Sequence, residues 1–181
     1  MTDTRIQPEN EFAEVAAEAP AQVVHRRWVT VTAGINVSGV LWGAGPAALV
    51  LLPAPGTDAR SLDRVALALG EPVVVIDPPG TGRSGGSAGT PKRAARDVVE
   101  AVASFAPRAR VIAGIGAGGV IALAVALRRA ELGTVVLAGT EPGDDVTALR
   151  EQLPGTTITE LAAPGDPGAF AAALTTVRKG N

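Results

Sequence analysis

Residues 111–127 read VIAGIGAGGVIALAVAL, with no charged side chain anywhere in the run. Two readings compete for it. An uncharged run of this length lies at the lower limit for a membrane span, which needs about 17–25 residues. Against that stand Gly114, Gly116, Gly118 and Gly119, which fall between a short β-branched run and an Ala/Leu/Val run. Glycine so placed suits a strand, a tight turn and then a buried helix. The stretch therefore predicts a strand-turn-helix unit inside a folded domain.

Working outward, further short apolar runs have the character of strands buried on both faces: Ala48 to Leu52, Val73 to Asp77, Thr134 to Ala138 and, more weakly, Thr157 to Leu161. Helical segments separate most of them. Ser61 to Leu69 ends at Gly70, and Thr90-Pro91 supplies an N-cap and a first-turn proline for a helix reaching Phe105. Asp166-Pro167 opens a last helix in the same way. Upstream, Trp28 to Thr32 and Asn36 to Leu41 flank Ala33-Gly34 as an opening hairpin. Strand and helix in alternation predict an α/β fold, a doubly wound, mostly parallel sheet whose ligand crevice lies at the carboxyl ends of the strands.

Composition narrows the partners. With 181 residues, 46% of them hydrophobic, and a mean hydropathy of +0.26, the chain can bury one core. The domain is expected over residues 23–181. Residues 1–22, rich in Glu and Ala, are expected to form a mobile or weakly helical arm ahead of it. A net charge of -2 with scattered cations argues against nucleic acid and against a membrane surface. There are no cysteines and one histidine, His25, so neither a metal centre nor any other cofactor is expected. The acidic N-terminal stretch has no apolar segment of the signal-peptide kind, which makes the cytoplasm the expected compartment.

Three strand-to-helix turns carry the functional signal. They read Pro53-Ala54-Pro55-Gly56-Thr57-Asp58, then Asp77-Pro78-Pro79-Gly80-Thr81-Gly82-Arg83-Ser84, then Gly114-Ile115-Gly116-Ala117-Gly118. In order and spacing they resemble the α/β-hydrolase superfamily, with its His-Gly loop, Asp-x-x-Gly-x-Gly-x-Ser turn and Gly-x-Ser-x-Gly nucleophile elbow. The resemblance spans about Trp28 to Pro142 and, more faintly, the tail. It places Gly116 at the nucleophile position, the Ala117 amide at the oxyanion site, and Pro55, which has no N–H, where the second oxyanion donor stands. No histidine follows Gly116, although the family order is serine, acid, histidine. Between the elbow helix and the tail only one strand-like run appears, so a shrunken sheet without a lid is expected. A free sheet edge of that kind would favour a homodimer.

These departures lead to the expectation of a catalytically degenerate pseudoenzyme, which binds a small apolar molecule or a protein partner and is not a Ser-His-Asp hydrolase. Its pocket, by resemblance, is formed by Pro53, Ala54, Pro55, Gly116, Ala117 and Glu141. A second reading is a lyase, isomerase or cyclase in which Asp58 or Asp144 moves a proton. A third takes Gly114-x-Gly116-x-x-Gly119, with Glu141 as ribose ligand, for a dinucleotide fingerprint. Asp77, Arg60, Arg83 and Asp145 are further charged residues expected near the strand ends, each more ordinary as a cap or solvated group.

Overall fold

The computed structural model describes residues 11–19 and 22–180. These form one seven-stranded sheet in the order β1-β2-β4-β3-β5-β6-β7. The strands are β1 (Val24–Thr30), β2 (Asn36–Trp42), β3 (Leu49–Leu52), β4 (Val73–Ile76), β5 (Val111–Ile115), β6 (Thr134–Ala138) and β7 (Thr157–Leu161). β2 runs antiparallel to both β1 and β4, and every other pairing is parallel. The expected α/β architecture is thus observed, and no cap domain is present among the described residues.

Alternation along each strand divides the core between the two faces of the sheet. Val50, Leu52, Val74, Ile76, Ile112, Val135 and Leu137 point to one face. There they meet α3 (Pro91–Phe105), α4 (Gly118–Ala126) and α5 (Asp144–Glu151). Leu49, Leu51, Val73, Val75, Val111, Ala113 and Val136 point to the other, against α1 (Ala13–Glu18), α2 (Asp63–Leu69) and α6 (Pro167–Lys179). The α3 helix starts as its sequence suggests: Pro91 occupies the first turn and the Thr90 hydroxyl accepts from the Arg93 N–H at 3.3 Å. Its buried stripe includes Ala94, Ala95, Val98, Ala101, Val102 and Phe105. By contrast α4 is apolar all round, which fits its seat between the sheet and α3. Among the described residues no helix is long and apolar enough to cross a membrane.

The opening strand differs from its expected bounds. It begins at Val24 rather than Trp28, pairing Val24 with Trp42 through to Thr30 with Asn36. His25-Arg26-Arg27 hides it from a hydrophobicity reading, because Arg26 is buried by ion pairing and not by apolar character. The expected N-terminal arm also divides. Residues 11–19 carry α1, whose flank puts Phe12 and Val15 into the core. Phe12 meets the buried Trp42 edge to face at 6.2 Å, a geometry worth about 0.5–1.5 kcal/mol beyond area burial. Residues 1–10, 20 and 21 lie outside the described residues, and so does the expectation made for them.

His25 sits in β1 opposite Leu41, which pairs with Val74, so it lies near the amino ends of the parallel strands and away from their carboxyl ends. Burial, assisted by the charge of Arg27, holds its pKa below the ordinary 6.5. The folded state therefore favours the neutral ring. That contribution is present above the unfolded value and is lost as pH falls through the folded one. Thermal unfolding is expected to show a melting temperature that drops between about pH 7 and about pH 5, where histidine is the side chain that titrates. In His25→Gln the drop should shrink, and an unchanged pH profile in that variant would assign the effect elsewhere.

Candidate active site

At the carboxyl ends of β3, β4 and β5 the three turns converge around a cavity of about 260 Å3. Pro53, Ala54 and Pro55 form one wall, and Pro78, Pro79 and Thr81 a second. Ala117, Gly118 and Ile121 of the elbow and α4 form the floor, while Ala88, Gly89, Pro91 and Ala94 close the far side. Among the described residues no charged side chain lines it. Five prolines stand in its walls, each with φ held by its ring, so this crevice is stiff as well as apolar.

The elbow is built by close approach. A Cβ on Gly114 would overlap the Gly118 carbonyl, and one on Gly118 would lie 2.7 Å from the Pro53 carbonyl oxygen. Only glycines let α4 start that close to β5 and to the β3 loop. Gly116 itself has φ +55, in the left-handed region, and a Cβ there would meet nothing nearer than the Ala54 Cβ at 3.7 Å. It therefore faces open space beside Ala54. Beneath it, the Thr140 hydroxyl donates to the Gly116 carbonyl at 2.8 Å. The first N–H groups of any helix lack intrahelical acceptors. Gly119 N–H turns back to the Gly116 carbonyl and Val120 N–H to that of Ala117, while Ala117 and Gly118 line the crevice.

Asp77 is the buried hub behind both proline walls. Fully inaccessible, its carboxylate accepts from Arg26 Nη1 at 2.9 Å, from the Ala59 N–H at 2.7 Å and from the Arg83 N–H at 3.1 Å. A Cβ on Gly82 would overlap that carboxylate, which explains the glycine there. The Ser84 hydroxyl donates to the Asp77 carbonyl at 2.6 Å and accepts from the Ser38 N–H at 2.8 Å, tying the turn to β2. Arg26 also donates to the Ser38 hydroxyl at 2.6 Å and to the Glu11 carboxylate, with Nε 3.1 Å from each oxygen. Burial pushes the Glu11 carboxyl up, but the Arg26 hydrogen bond and the charges of Arg26, Arg83 and Arg60 outweigh it and leave it below its usual range. Burial wins at Asp63, whose carboxyl is raised despite its pair with Arg60.

Of the residues singled out from the sequence, Pro53, Ala54, Pro55 and Ala117 line the cavity, and Gly116 lies next to it against Ala54. The others do not gather there. Asp58 accepts from the Arg60 N–H at 3.0 Å and caps a 3-10 turn. Glu141 is exposed beyond β6, and Asp144 and Asp145 are exposed in the first turn of α5. Arg60 covers the Phe12 ring at 4.8 Å, and Arg83 contributes its backbone N–H to Asp77. The wall residues Pro78 and Pro79 were missed, although their position directly after a strand was a usable signal. Ile121 and Ala94 carry no such signal, because two helices distant in sequence bring them together.

A strand, a left-handed elbow and a helix beneath a crevice at the sheet's carboxyl edge define an α/β-hydrolase scaffold. Residues 49–178 match the alpha/beta hydrolase family, and the chain belongs to it. It is 28% identical over 153 residues to the esterase Rv0045c of Mycobacterium tuberculosis (strain ATCC 25618 / H37Rv), covering 78% of this chain and 50% of that protein. The chain thus spans about half the length of the curated relative it matches. A refined structure of the same M. tuberculosis esterase superposes with a TM-score of 0.62 at 26% identity, over 82% of this chain and 51% of that one. A thermophilic esterase gives a TM-score of 0.65 at 16% identity, covering 87% and 98%, a likeness of fold alone.

These relatives overturn the expectation of a degenerate, non-hydrolytic pseudoenzyme, because they are named esterases and point to a hydrolase. Neither the lyase, isomerase or cyclase reading nor the dinucleotide reading is favoured by them. Absence of a triad does not by itself remove catalysis. Binding and an oxyanion site alone leave about 10³–10⁴ of rate enhancement in serine hydrolases stripped of triad members.

The elbow geometry makes a contrast between two glycines. Gly114→Ala drives its Cβ into backbone and is expected to cost about 3 kcal/mol or more, at or beyond the usual overpacking range. Gly116→Ala has room and should cost only the left-handed backbone penalty of about 1–2 kcal/mol. Urea denaturation of both variants measures the difference, and equal losses would contradict the packing described.

Proposed function

We propose that this protein is an ester hydrolase of the α/β-hydrolase family that acts on small, uncharged acyl esters, with water adding directly to the carbonyl. The reading includes a short, lidless form of the family, in which Gly116 stands where the family has serine and no histidine follows it. The observation that carries it is the elbow: Ala117 and Gly118 open α4 at the floor of a stiff apolar crevice. An acyl carbonyl held there would lie beside a helix N-terminus with its partial positive charge.

In this scheme the acyl group occupies the crevice between the proline walls, which exclude water from its apolar part. The oxygen of water or hydroxide adds to the carbonyl carbon, and the carbonyl electron pair moves onto the oxygen facing the Ala117 and Gly118 amides. Collapse of the tetrahedral adduct breaks the bond to the alkoxy oxygen, which takes up the proton given up by water. Preorganised amides at a developing oxyanion are worth about 10²–10³ each in rate. Pro55 supplies no N–H to this site.

Short-chain p-nitrophenyl esters are expected to turn over at least about 10²-fold above buffer, the level that one preorganised oxyanion donor supports without a triad. Because no titratable group lines the crevice among the described residues, the rate should follow hydroxide, rising about tenfold per pH unit without the bell of an acid–base pair. A fluorophosphonate probe should leave residue 116 unlabelled. Turnover at the buffer rate, or a bell-shaped pH profile, would defeat the proposal.

A further inference from the structure

The structure ties the crevice to a part of the chain that takes no part in its walls. Glu11 precedes α1 and binds Arg26, whose side chain is 1% exposed, through both carboxylate oxygens. Arg26 in turn binds Asp77, which is fully buried. Asp77 holds the Ala59 and Arg83 amides, one on each of two loops. The first loop begins at Pro53-Ala54-Pro55, where the Thr57 N–H and hydroxyl fold back onto the Ala54 carbonyl at 3.1 and 2.7 Å. The second carries Thr81, whose N–H and hydroxyl return to the Pro78 carbonyl at 3.0 and 2.7 Å. Both loops are proline walls of the crevice.

The same short segment is fastened twice more. Arg60, on the first loop, donates to the Glu11 carbonyl and lies over the Phe12 ring. Phe12 is 1% exposed and packs on Trp42.

The geometry points to Glu11 as a positioning residue that acts through Arg26 and Asp77 to set the two proline walls of the crevice. The physical reason is directional. Arg26 has carboxylates on opposite sides, Glu11 outside and Asp77 inside, and a guanidinium is a rigid planar fork. Fixing one edge of the fork fixes the direction of the hydrogen bond from the other. Without Glu11 the guanidinium rotates about its remaining partners, Asp77 and Ser38, and the carboxylate that orients both loops loses its fixed donor. The buried Nε and Nη2 donors of Arg26 lose their acceptor with Glu11, an unsatisfied burial that is costly and that local opening relieves. This role rests on the crevice being the site of the proposed reaction, but its first test does not depend on turnover.

Amide hydrogen exchange on the full chain tests it. In Glu11→Ala, the Ala59 and Arg83 amides are expected to exchange at least about tenfold faster than in the native protein, while the β6 amides Val135 to Leu137 stay within about twofold. Glu11→Gln keeps an oxygen acceptor for Arg26 and should recover most of the protection. Arg64→Ala removes the ion pair that ties Glu18 at the end of α1 to α2 and should leave both amides as in the native protein, which separates the network from mere attachment of α1. On ester substrates, Glu11→Ala should raise KM by about fivefold with kcat within about twofold, the pattern of lost uniform binding. Unchanged protection at Ala59 and Arg83, or an equal rise across β6, would overturn the positioning role. Faster exchange at the two amides with no esterase turnover in any variant would leave that role standing and remove the proposed function instead.

Discussion

Much of this fold answers to one requirement, that the carboxylate of Asp77 be buried at the end of β4 and yet remain satisfied. A lone carboxylate out of water is prohibitively costly, and it survives here because a guanidinium and two backbone amides converge on it. Meeting that requirement draws together β1 through Arg26, the loop after β3 through Ala59 and the turn after β4 through Arg83. Gly82 is required because any side chain there would occupy the place of the carboxylate. Breaking such a buried pair by removing one partner costs about 3–5 kcal/mol, comparable to much of a domain's stability.

The crevice follows from this arrangement. Its two proline walls are the loops that Asp77 fastens, and its floor is the elbow, where glycines let α4 approach β5 within backbone contact. Helix, loops and sheet edge leave an apolar volume with Ala117 and Gly118 at its base and no ionised side chain lining it among the described residues. Such a place can orient an uncharged acyl group and stabilise negative charge on its oxygen. In the proposed reaction both would follow from packing and the helix dipole, with no side chain required of the elbow residue.

How much of this could be read from the sequence depends on the type of signal. The strands β3 to β7 and the helix α3 were legible because apolar runs and an N-cap with proline are local features. The bounds of β1 were not, since Arg26 owes its burial to Asp77, fifty-one positions away. Phe12 was read as part of a free arm for a similar reason: one aromatic residue in an acidic stretch has no periodicity, and its partner Trp42 lies across the sheet. Asp58 and Asp144 drew attention as acids by proximity to strand ends. In the fold the first caps a turn and the second sits in solvent, and no pattern of spacing distinguishes those roles from a place in the crevice.

By itself, then, the sequence determined the alternation of strands and helices, the three glycine- and proline-rich turns that face one another, and the empty side-chain position at the elbow. These are properties of short segments, set by backbone sterics and hydrophobic period. Tertiary structure alone decided that Arg26, Glu11 and Asp77 form one charge network, that Ile121 and Ala94 join the prolines around one cavity, and that His25 lies far from it. Those outcomes depend on which buried charges must find partners and which surfaces must meet, and such conditions are imposed only when distant segments are brought together.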